Sequence, residues 1–163
     1  MSDLAPIHRL HSLPETDEFN TLGIPKHIDE TASIMEAWIL DHQLQEIRNY
    51  TFAIAQGSAN IFTGLIAIKL GSKKYRKAEV WYKLLPEFWG KGYATESLKR
   101  ILEFGFHQLH LHRIEAGCAV DNIGSIRVLE KVGMLREGRK RKVLPLASGW
   151  SDNFEYAILE TDS

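Results

Sequence analysis

The sequence predicts a mixed α/β fold of the α+β kind, in which a mostly antiparallel sheet is flanked by helices. Strand-like runs at 50–55, 61–70 and 78–85 are joined by connections too short for a crossover, which predicts an antiparallel meander. A long helical pattern at 93–109 then leads to a strand at 111–120. This order is typical of a crossover to a parallel neighbour.

Length and composition fit one globular domain spanning 1–163. Of the 163 residues, 44% are hydrophobic and 25% are charged, which is ordinary for a domain with a sizeable core. We divide the chain into an N-terminal helical part (2–46), a core (50–133) and C-terminal strands (134–160). The formal net charge of −1 argues against a general nucleic-acid binder, although basic residues cluster at 136–142. We expect no direct nucleic-acid partner.

The cellular setting is predicted from the cysteine count and the apolar pattern. The single cysteine, Cys118, excludes a framework of intrachain disulfides and fits a reducing compartment. No apolar run approaches the ~20 residues that span a bilayer. The first residues lack the basic and apolar regions of a signal peptide. The expectation is a cytoplasmic protein without a membrane partner.

Helices are predicted on both sides of a loop near the N-terminus. Ser2 or Asp3 can cap a short helix, and residues 14–25 are predicted to be an irregular loop because they contain Pro, Gly, Asn and Thr. Asp29 then caps a predicted helix at 30–45, whose apolar residues recur at helical spacing.

Gly90 and Gly92 lie where the strand at 78–85 turns into the helix at 93–109. A helix start presents backbone N–H groups without intrahelical partners and the positive end of the dipole, and both favour an anion. Because glycine has no Cβ, the backbone there can bend tightly and lie close to a ligand. The stretch predicts a phosphate cradle or, alternatively, a plain glycine turn that caps the helix.

The spacing of these glycines argues against two nucleotide-binding motifs. A dinucleotide fingerprint, G-x-G-x-x-G/A, needs a small third residue where Thr95 stands, and its strand belongs to a parallel sheet rather than to a meander. A P-loop, G-x-x-x-x-G-K-[ST], has no match in the sequence.

The last third of the chain is predicted to contain a short helix and two strands. The helix at 123–132 ends at Gly133, a residue suited to the position just after a helix. The strands at 134–145 and 153–160 flank a predicted turn at 148–151.

Several short motifs occur in the order and spacing of a known family. They are WGKGYATE at 89–96, HRIEA at 112–116, NIGS at 122–125, VLEKVGM at 128–134, EG at 137–138 and GWSD at 149–152. On these residues the chain, from about residue 50 onward, resembles the GNAT acyltransferases. Within that family it is most similar to the RimJ/RimL-like branch of ribosomal-protein N-terminal acetyltransferases.

The resemblance implies acetyl-CoA as co-substrate and no metal. In the family the strand before the glycine turn splays from its neighbour, so unpaired backbone groups, here at about Leu84 and Leu85, would bind the pantetheine arm. The pyrophosphate would lie on the N–H groups of the glycine turn, with Lys91 adding charge. Trp89 replaces the family's usual basic or Gln residue. The cofactor-binding residues expected on this side are Leu84, Leu85, Trp89, Gly90, Lys91, Gly92, Tyr93, Ala94 and Thr95.

The second helix carries three further residues that the resemblance assigns to the cofactor. The Asn122 side chain would contact pantetheine, although an Asn at a helix start is also a common N-cap. Ser125 would face the thiol; the alternative is an ordinary polar residue of the first turn. Lys131 would help neutralise the phosphates, unless it is simply a solvated surface lysine.

Ser125 and Glu79 are the expected catalytic residues. Many family members carry a tyrosine near the end of this helix that protonates the departing thiolate. Leu129 stands there in this chain, so Ser125, or a water that it holds, would take the role. The acceptor amine must lose a proton, and Glu79 is the candidate base, although a solvated strand residue is the alternative. A backbone N–H near Leu85 would stabilise the oxyanion.

The implied function is an N-acetyltransferase that moves an acetyl group from acetyl-CoA directly to a primary amine. The acceptor would be a protein or peptide N-terminus or a small amine. The alternatives are a non-catalytic acyl-CoA sensor of the same fold and an interaction subunit with a merely structural cofactor. Aromatic candidates to line the acceptor site are Tyr50, Trp81, Trp150 and Tyr156.

The start of the chain differs from the family pattern. Members usually begin with a strand before the first helix, whereas this chain begins at the cap of that helix. We therefore expect the first strand of the fold to be missing, which leaves an exposed sheet edge. Because such an edge can pair with another chain, we expect either a homodimer or a strand supplied from elsewhere.

Overall fold

Six strands form one sheet in the structure, a computed structural model that describes residues 2–162. The strands are β1 (Asn49–Gln56), β2 (Ile61–Leu70), β3 (Lys77–Leu84), β4 (Arg113–Ala119), β5 (Leu135–Leu146) and β6 (Gly149–Leu159). The α-helices are α1 (Leu4–Ser12), α2 (Pro14–Asp17), α3 (Ile28–Gln43), α4 (Tyr93–Glu103) and α5 (Ile123–Lys131). The order across the sheet is β1-β2-β3-β4-β6-β5, which confirms the predicted α+β class.

β3 and β4 form the parallel pair of this sheet, and they part early. Their pairing ends at Glu79, opposite Glu115, whereas β4 stays beside β6 as far as Ala119, opposite Asn153. The antiparallel meander of β1, β2 and β3 and the parallel crossover to β4 are confirmed. Beyond Glu79 the sheet therefore has a gap between β3 and β4.

Two hydrophobic clusters pack against the two faces of the sheet. One lies between the sheet and α4 with α5, and its buried members include Ile68, Leu98, Ile114, Leu129 and Tyr156. The other lies between the sheet and α1 with α3, and its buried members are Ile7, Leu10, Met35, Leu65 and Leu85. Because both faces are apolar, a one-residue slip of any central strand would exchange buried side chains between the layers.

Successive side chains of β3 point to opposite faces of the sheet. Val80 and Tyr82 contact the cluster beneath α4 and α5, whereas Leu85, just after the strand, belongs to the cluster beneath α1 and α3. Lys83 is on that second face, where it hydrogen-bonds His11 of α1. Neighbouring residues at the end of β3 thus serve different layers.

The N-terminal helices differ from the prediction in two places. Residues 14–25, predicted to be an irregular loop, contain α2, which starts with Pro14 at a position where the missing N–H is not needed. The N-cap of α3 is His27 rather than Asp29, and Asp29 lies in the first turn, where a carboxylate still favours the helix dipole. Asp3 is the N-cap residue of α1, as predicted, but its side chain makes no capping hydrogen bond.

The long helix predicted at 93–109 is interrupted. α4 ends at Glu103 and a π-helical turn follows at Phe104–Gln108. Gly105 packs so tightly in this turn that an added Cβ would lie 2.7 Å from Ile114 Cδ1. The wider turn thus accommodates the close contact between the helix end and β4, a contact that hydrophobic spacing alone does not reveal.

The edges of the sheet are β1 and β5. The hairpin of β5 and β6 turns at 147–148 rather than at the predicted 148–151, because Gly149 and Trp150 already pair with β5. Within residues 2–162, no helix is both long enough and apolar enough to cross a membrane.

Gly64 should be intolerant of any side chain. It lies opposite Leu84, and an added Cβ would be 2.8 Å from Leu84 Cα and closer still to the Lys83 carbonyl oxygen. Gly64→Ala must therefore push β3 away from β2. We expect a loss of roughly 2 kcal/mol in the free energy of unfolding, measured by urea denaturation.

The matched control is Gly124→Ala in α5. The nearest atom to an added Cβ there, Asn122 Oδ1, is 3.9 Å away. Stability should stay unchanged or rise by up to about 1 kcal/mol, since alanine favours the helix. Equal effects of the two substitutions would contradict the close approach of β2 and β3 at Gly64.

Candidate functional site

A cavity of about 560 Å³ lies beside the end of β3, where that strand has parted from β4. Its walls come from the segment at 15–20, the end of β3 with the turn after it, the start of α4, and α5. Such a volume suits a cofactor-sized ligand. The predicted site residues that line it are Leu84, Trp89, Gly90, Gly92, Tyr93, Ala94, Thr95, Asn122, Ser125 and Lys131.

The start of α4 forms a wall that favours an anion. Gly92 is the N-cap residue, with a φ of 84°, and its carbonyl accepts the Glu96 N–H at 3.0 Å. Gly90 also has a positive φ, 69°, and an added Cβ at either glycine would meet no atom within 4 Å. The N–H groups that precede the first helical hydrogen bond have no partner within the helix. They belong to Tyr93, Ala94 and Thr95.

α5 forms another wall and carries two cations. Asn122 Oδ1 accepts the Ser125 N–H at 3.2 Å, which confirms the N-cap interpretation, and Asn122 also lines the cavity. Arg127 and Lys131, four residues apart on one helix face, line it as well. Arg127 is absent from the sequence prediction. Its spacing from Lys131 is the signal that would have identified it.

The backbone of β3 directs hydrogen-bonding groups into the gap. Leu85 N–H donates to Thr63 O at 2.9 Å, and Leu85 O accepts the Phe88 N–H at 3.0 Å. The prediction that Leu85 has unpaired groups is therefore wrong, and Leu85 does not line the cavity. Hydrogen-bonded pairs alternate along an antiparallel ladder, so Leu84 and Tyr82 point their backbone N–H and C=O groups away from β2, toward the gap.

Trp89 connects the glycine turn back to the end of β3. Its indole Nε1 donates to Leu84 O at 2.9 Å, and the residue, 49% exposed, lines the cavity. Phe88 and Tyr93 pack edge to face with ring centroids 5.9 Å apart. Lys91 Nζ lies 6.0 Å from the Phe88 ring centroid and does not line the cavity. Lys91 therefore contributes charge near the cavity rather than a wall of it.

Tyr82 and Ser125 form a pair of hydroxyls in the cavity wall. Tyr82 OH and Ser125 Oγ are 2.7 Å apart. Burial raises the pKa of Tyr82 to about 12, and the Ser125 hydrogen bond offsets only part of that effect. The sequence prediction did not include Tyr82, although its place near the end of the strand before the glycine turn could have identified it as a site residue. Leu129, at the position of the family's usual tyrosine, is buried in the core.

Lys83, on the other face of β3, is a buried cation that lines the same cavity. Its Nζ lies 3.1 Å from His11 Nδ1. Burial lowers the pKa of Lys83 to about 8, and the Asp17 carboxylate acts in the opposite direction. Burial, Lys83 and His8 together lower the pKa of His11 to about 4. Neither Lys83 nor His11 was predicted from the sequence, because the pairing joins residues 72 positions apart.

Glu79, the predicted base, does not line the cavity. It is exposed near the start of β3, opposite Lys69 of β2 and Glu115 of β4, in the part of the strand that is still paired on both sides. Of the two predicted catalytic residues, only Ser125 lies at the cavity.

The four aromatic residues predicted to line the acceptor site divide into two pairs. Tyr156 is 1% exposed and Tyr50 packs against the core beneath α4 and α5. Trp81 and Trp150 are 37% and 63% exposed, and none of the four lines the cavity. Across residues 2–162, no cluster of three or more His, Cys, Asp or Glu side chains is arranged to hold a metal ion.

These walls fit a long ligand with an anionic end and an amide-containing arm. The N–H groups of α4 and the cations of α5 suit phosphate groups. The backbone of β3 at the gap suits amides, which can pair with it as a strand would. Acetyl-CoA has this distribution of groups, so the donor set fits it.

Comparison with known proteins identifies the family. A sequence model of the acetyltransferase (GNAT) domain matches residues 1–135, so the chain belongs to the GNAT acetyltransferase family and is an acyltransferase. "Probable N-acetyltransferase YjcK" of Bacillus subtilis (strain 168) is 36% identical over 121 residues, which cover 74% of this chain and 67% of YjcK.

Two further relatives from the same organism match over shorter stretches. YnaD, named an uncharacterized N-acetyltransferase, is 45% identical over 84 residues, 52% of this chain and 49% of YnaD. The match thus spans about half the length of YnaD. YdaF, whose name marks it provisionally as a ribosomal N-acetyltransferase, is 32% identical over 99 residues, 61% of this chain and 54% of YdaF.

Solved structures share the fold along nearly the whole chain. A GNAT-family acetyltransferase from Bacillus anthracis has a TM-score of 0.83 and 29% identity, covering 98% of this chain and 90% of its own. Spermidine N-acetyltransferase from Vibrio cholerae, solved with CoA and spermine, has a TM-score of 0.87 at 24% identity, with 99% and 92% covered. RimJ from Mycobacterium smegmatis, solved with CoA-disulfide, has a TM-score of 0.87 at 24% identity, with 98% and 78% covered. At 24% identity, the Vibrio cholerae and Mycobacterium smegmatis structures show only that the fold is shared.

CoA should bind the wild-type protein, and Gly92→Glu should weaken that binding at least tenfold. The new side chain would strain a backbone with positive φ and place a carboxylate beside the N–H groups of α4. Isothermal titration calorimetry measures the affinity, and the CoA-dependent rise in melting temperature provides a second readout.

Gly149→Glu is the matched control. Gly149 has a φ of 118°, an added Cβ there would meet nothing within 4 Å, and the residue does not line the cavity. This variant should bind CoA as the wild type does. Wild-type affinity in Gly92→Glu would exclude the start of α4 from the CoA site.

Proposed function

We propose that this chain transfers the acetyl group of acetyl-CoA directly to a primary amine. One observation carries the proposal: an anion-favouring helix start, two cations and a pair of hydroxyls converge on one cavity beside an open strand backbone. Burial raises the pKa of Cys118 to about 11, so this thiol keeps its proton. A protonated thiol is a poor nucleophile, which favours direct transfer over a cysteine-linked intermediate.

The binding roles divide between two helices and one strand. The N–H groups at the start of α4, with Arg127 and Lys131, would hold the phosphate groups, and Lys91 would add charge nearby. The backbone of Tyr82 and Leu84, with the Asn122 side chain, would hold the pantetheine arm. When bound, acetyl-CoA supplies an acetyl group activated as a thioester.

Tyr82 and Ser125 together would supply the proton that the departing thiolate needs. Since the pKa of Tyr82 is raised to about 12, its hydroxyl is protonated at neutral pH. The hydrogen bond between the two oxygens lets either one act as the donor. The role predicted for Ser125 alone is thereby assigned to the pair.

The acceptor in this proposal is an amine that carries positive charge before it reacts. Glu15 and Glu18 line the cavity and would attract an ammonium group. The relatives' names point to two classes of acceptor, a polyamine for the Vibrio cholerae enzyme and a ribosomal acceptor for YdaF. Both classes, a small amine and a protein N-terminus, therefore belong in the test.

A non-catalytic acyl-CoA sensor is the second candidate function, and Leu129 is the residue that favours it. A sensor would use the same binding walls without needing a proton donor. The Tyr82–Ser125 pair favours the enzyme instead, because it provides the hydroxyl that Leu129 cannot.

Two further predictions also stand as proposals: a homodimer formed through β1, which is a sheet edge, and a cytoplasmic location.

Release of CoA thiol in the presence of candidate amines tests the function. We expect release above the background hydrolysis rate with at least one class among α-amino peptides, polyamines and aminoglycosides, with the acetylated product confirmed by mass spectrometry. CoA-dependent stabilisation without thiol release from any of these amines would instead support the sensor.

Tyr82→Phe should lower kcat by about a hundredfold, since a general acid typically contributes that much or more. Ser125→Ala should cause a smaller loss because Tyr82 keeps its own hydroxyl. The KM for acetyl-CoA should change little in Tyr82→Phe, since the backbone of residue 82 is retained. Steady-state thiol release measures both constants.

Tyr75→Phe is the matched control. Tyr75 is 62% exposed in the short turn before β3 and lies outside the cavity lining. Loss of the Tyr75 hydroxyl should leave kcat unchanged. A Tyr82→Phe variant with wild-type kcat would remove the hydroxyl pair from the mechanism.

A further inference from the structure

Within residues 2–162, two buried side-chain atoms lack a hydrogen-bond partner, His11 Nε2 and Asp17 Oδ1. Both belong to the surroundings of Lys83: His11 is its hydrogen-bond partner, and the Asp17 carboxylate acts on its charge. Buried polar groups are normally satisfied, and lysines are seldom buried at all. Two unsatisfied atoms around one buried lysine therefore indicate a functional arrangement.

Lys83 sits between apolar groups on one side and titratable groups on the other. Leu65 lies opposite it on β2, and the Trp38 ring of α3 lies 6.2 Å from the His11 ring. The titratable groups around Lys83 and across the cavity come from α1, α2 and the residue after α2; they are His8, His11, Glu15, Asp17 and Glu18.

The hydrogen-bond partner of Lys83 indicates whether this lysine exchanges a proton or stays permanently charged. A lysine kept as a charge normally pairs with a carboxylate, whereas Lys83 Nζ pairs with an imidazole. That imidazole is neutral near pH 7, because the pKa of His11 is lowered to about 4. A neutral imidazole stabilises an ammonium less than a paired carboxylate would, and burial outweighs the effect of Asp17, so the neutral amine is accessible.

We propose that Lys83 accepts the proton of the acceptor ammonium, with His11 as its positioning residue. The proposal rests on the proposed acetyl transfer to an amine. Lys83 lines the cavity, and its neighbour in sequence, Tyr82, carries the proposed proton donor on the other face of β3. Glu79, the base predicted from the sequence, lies outside that cavity.

The proton balance needs no other reactant: Lys83 takes the first N–H proton, and the second, lost as the attacking nitrogen becomes an amide, replaces the proton that the Tyr82–Ser125 pair gives to the departing thiolate. An N–H bond of the acceptor ammonium breaks, its proton bonds to the lone pair of Lys83 Nζ, and the acceptor keeps the lone pair with which it attacks. The charged Nζ donates a hydrogen bond to His11 Nδ1, so the neutral ring carries its hydrogen on Nε2. His11 also lines a second cavity, of about 80 Å³. After product release, the proton on Lys83 Nζ leaves to solvent through the main cavity, which Lys83 lines, and neutral Lys83 is restored.

The pH dependence has a definite sign. Lys83, whose pKa is lowered to about 8, is neutral in roughly a tenth of the molecules at pH 7, where an ordinary lysine with a pKa of about 10.4 is almost entirely charged. The wild-type kcat should therefore rise with pH up to about 8 and then level off. This value lies close to the pKa of a peptide α-amine, about 7.7–8.0, so proton transfer from such an acceptor is nearly balanced.

Lys83→Arg and Lys83→Met separate the proton acceptor from a simple cation. Arginine keeps the charge but cannot lose its proton. Both variants should lower kcat at least about a hundredfold and abolish the rise with pH. Rescue of kcat by Lys83→Arg, with a higher KM for acetyl-CoA in Lys83→Met, would show that Lys83 only binds an anion and would overturn the proposal.

Two controls complete the series. Lys99→Met removes an exposed lysine of α4 that is outside the cavity lining, and it should leave kcat and its pH profile unchanged. Glu79→Gln tests the rival base. Loss of the pH dependence in Glu79→Gln, together with its retention in Lys83→Arg, would return the role to Glu79.

NMR titration of the protein without ligand gives a readout that does not depend on turnover. With ¹³C-labelled lysine, one side chain should titrate near pH 8, and its signal should be absent from Lys83→Arg. A Lys83 midpoint near the ordinary lysine value, about 10.4, would overturn the proposal. A wild type that acetylates no amine would overturn the proposed function as well, whereas an active Lys83→Arg would overturn this inference alone.

Discussion

The parting of β3 from β4 after Glu79 is the constraint on which the rest of the site depends. Had the two strands stayed paired, the backbone groups of Tyr82 and the N–H of Leu84 would be satisfied within the sheet and no gap would remain. On its other side β3 is held closely, since Gly64 of β2 leaves no space for a side chain. The strand is thus fixed along one edge and open along the other, and the open edge is where a ligand's amides can pair.

The features that the sequence predicted best depend on local chemistry. Short connections determine the meander, and positive φ at Gly90 and Gly92 requires a residue without a side chain at the start of α4. The Asn122 cap likewise follows from the preference of that position for a short polar acceptor. These elements were predicted because each depends on residues close together in the chain.

What the sequence did not predict depends on contacts between distant segments. Lys83 becomes buried only because α1 packs across the second face of the sheet and brings His11 to it. Leu85 is paired because of the register with Thr63, and the π-helical turn reflects the close contact of Gly105 with Ile114. Membership in the GNAT family supplies the fold and the cofactor class, but the side chains around the gap distinguish this member.

Because successive side chains of β3 point to opposite faces of the sheet, this strand separates the layer beneath α4 and α5 from the layer beneath α1 and α3. Tyr82 and Lys83 are consecutive residues, yet one reaches Ser125 beneath α5 and the other reaches His11 of α1. The backbone of β3 thus separates the Tyr82 hydroxyl from the Lys83 amine. Proton transfer between the two layers would then have to pass through a molecule bound in the cavity, because the Tyr82 hydroxyl and the Lys83 amine lie on opposite faces of β3.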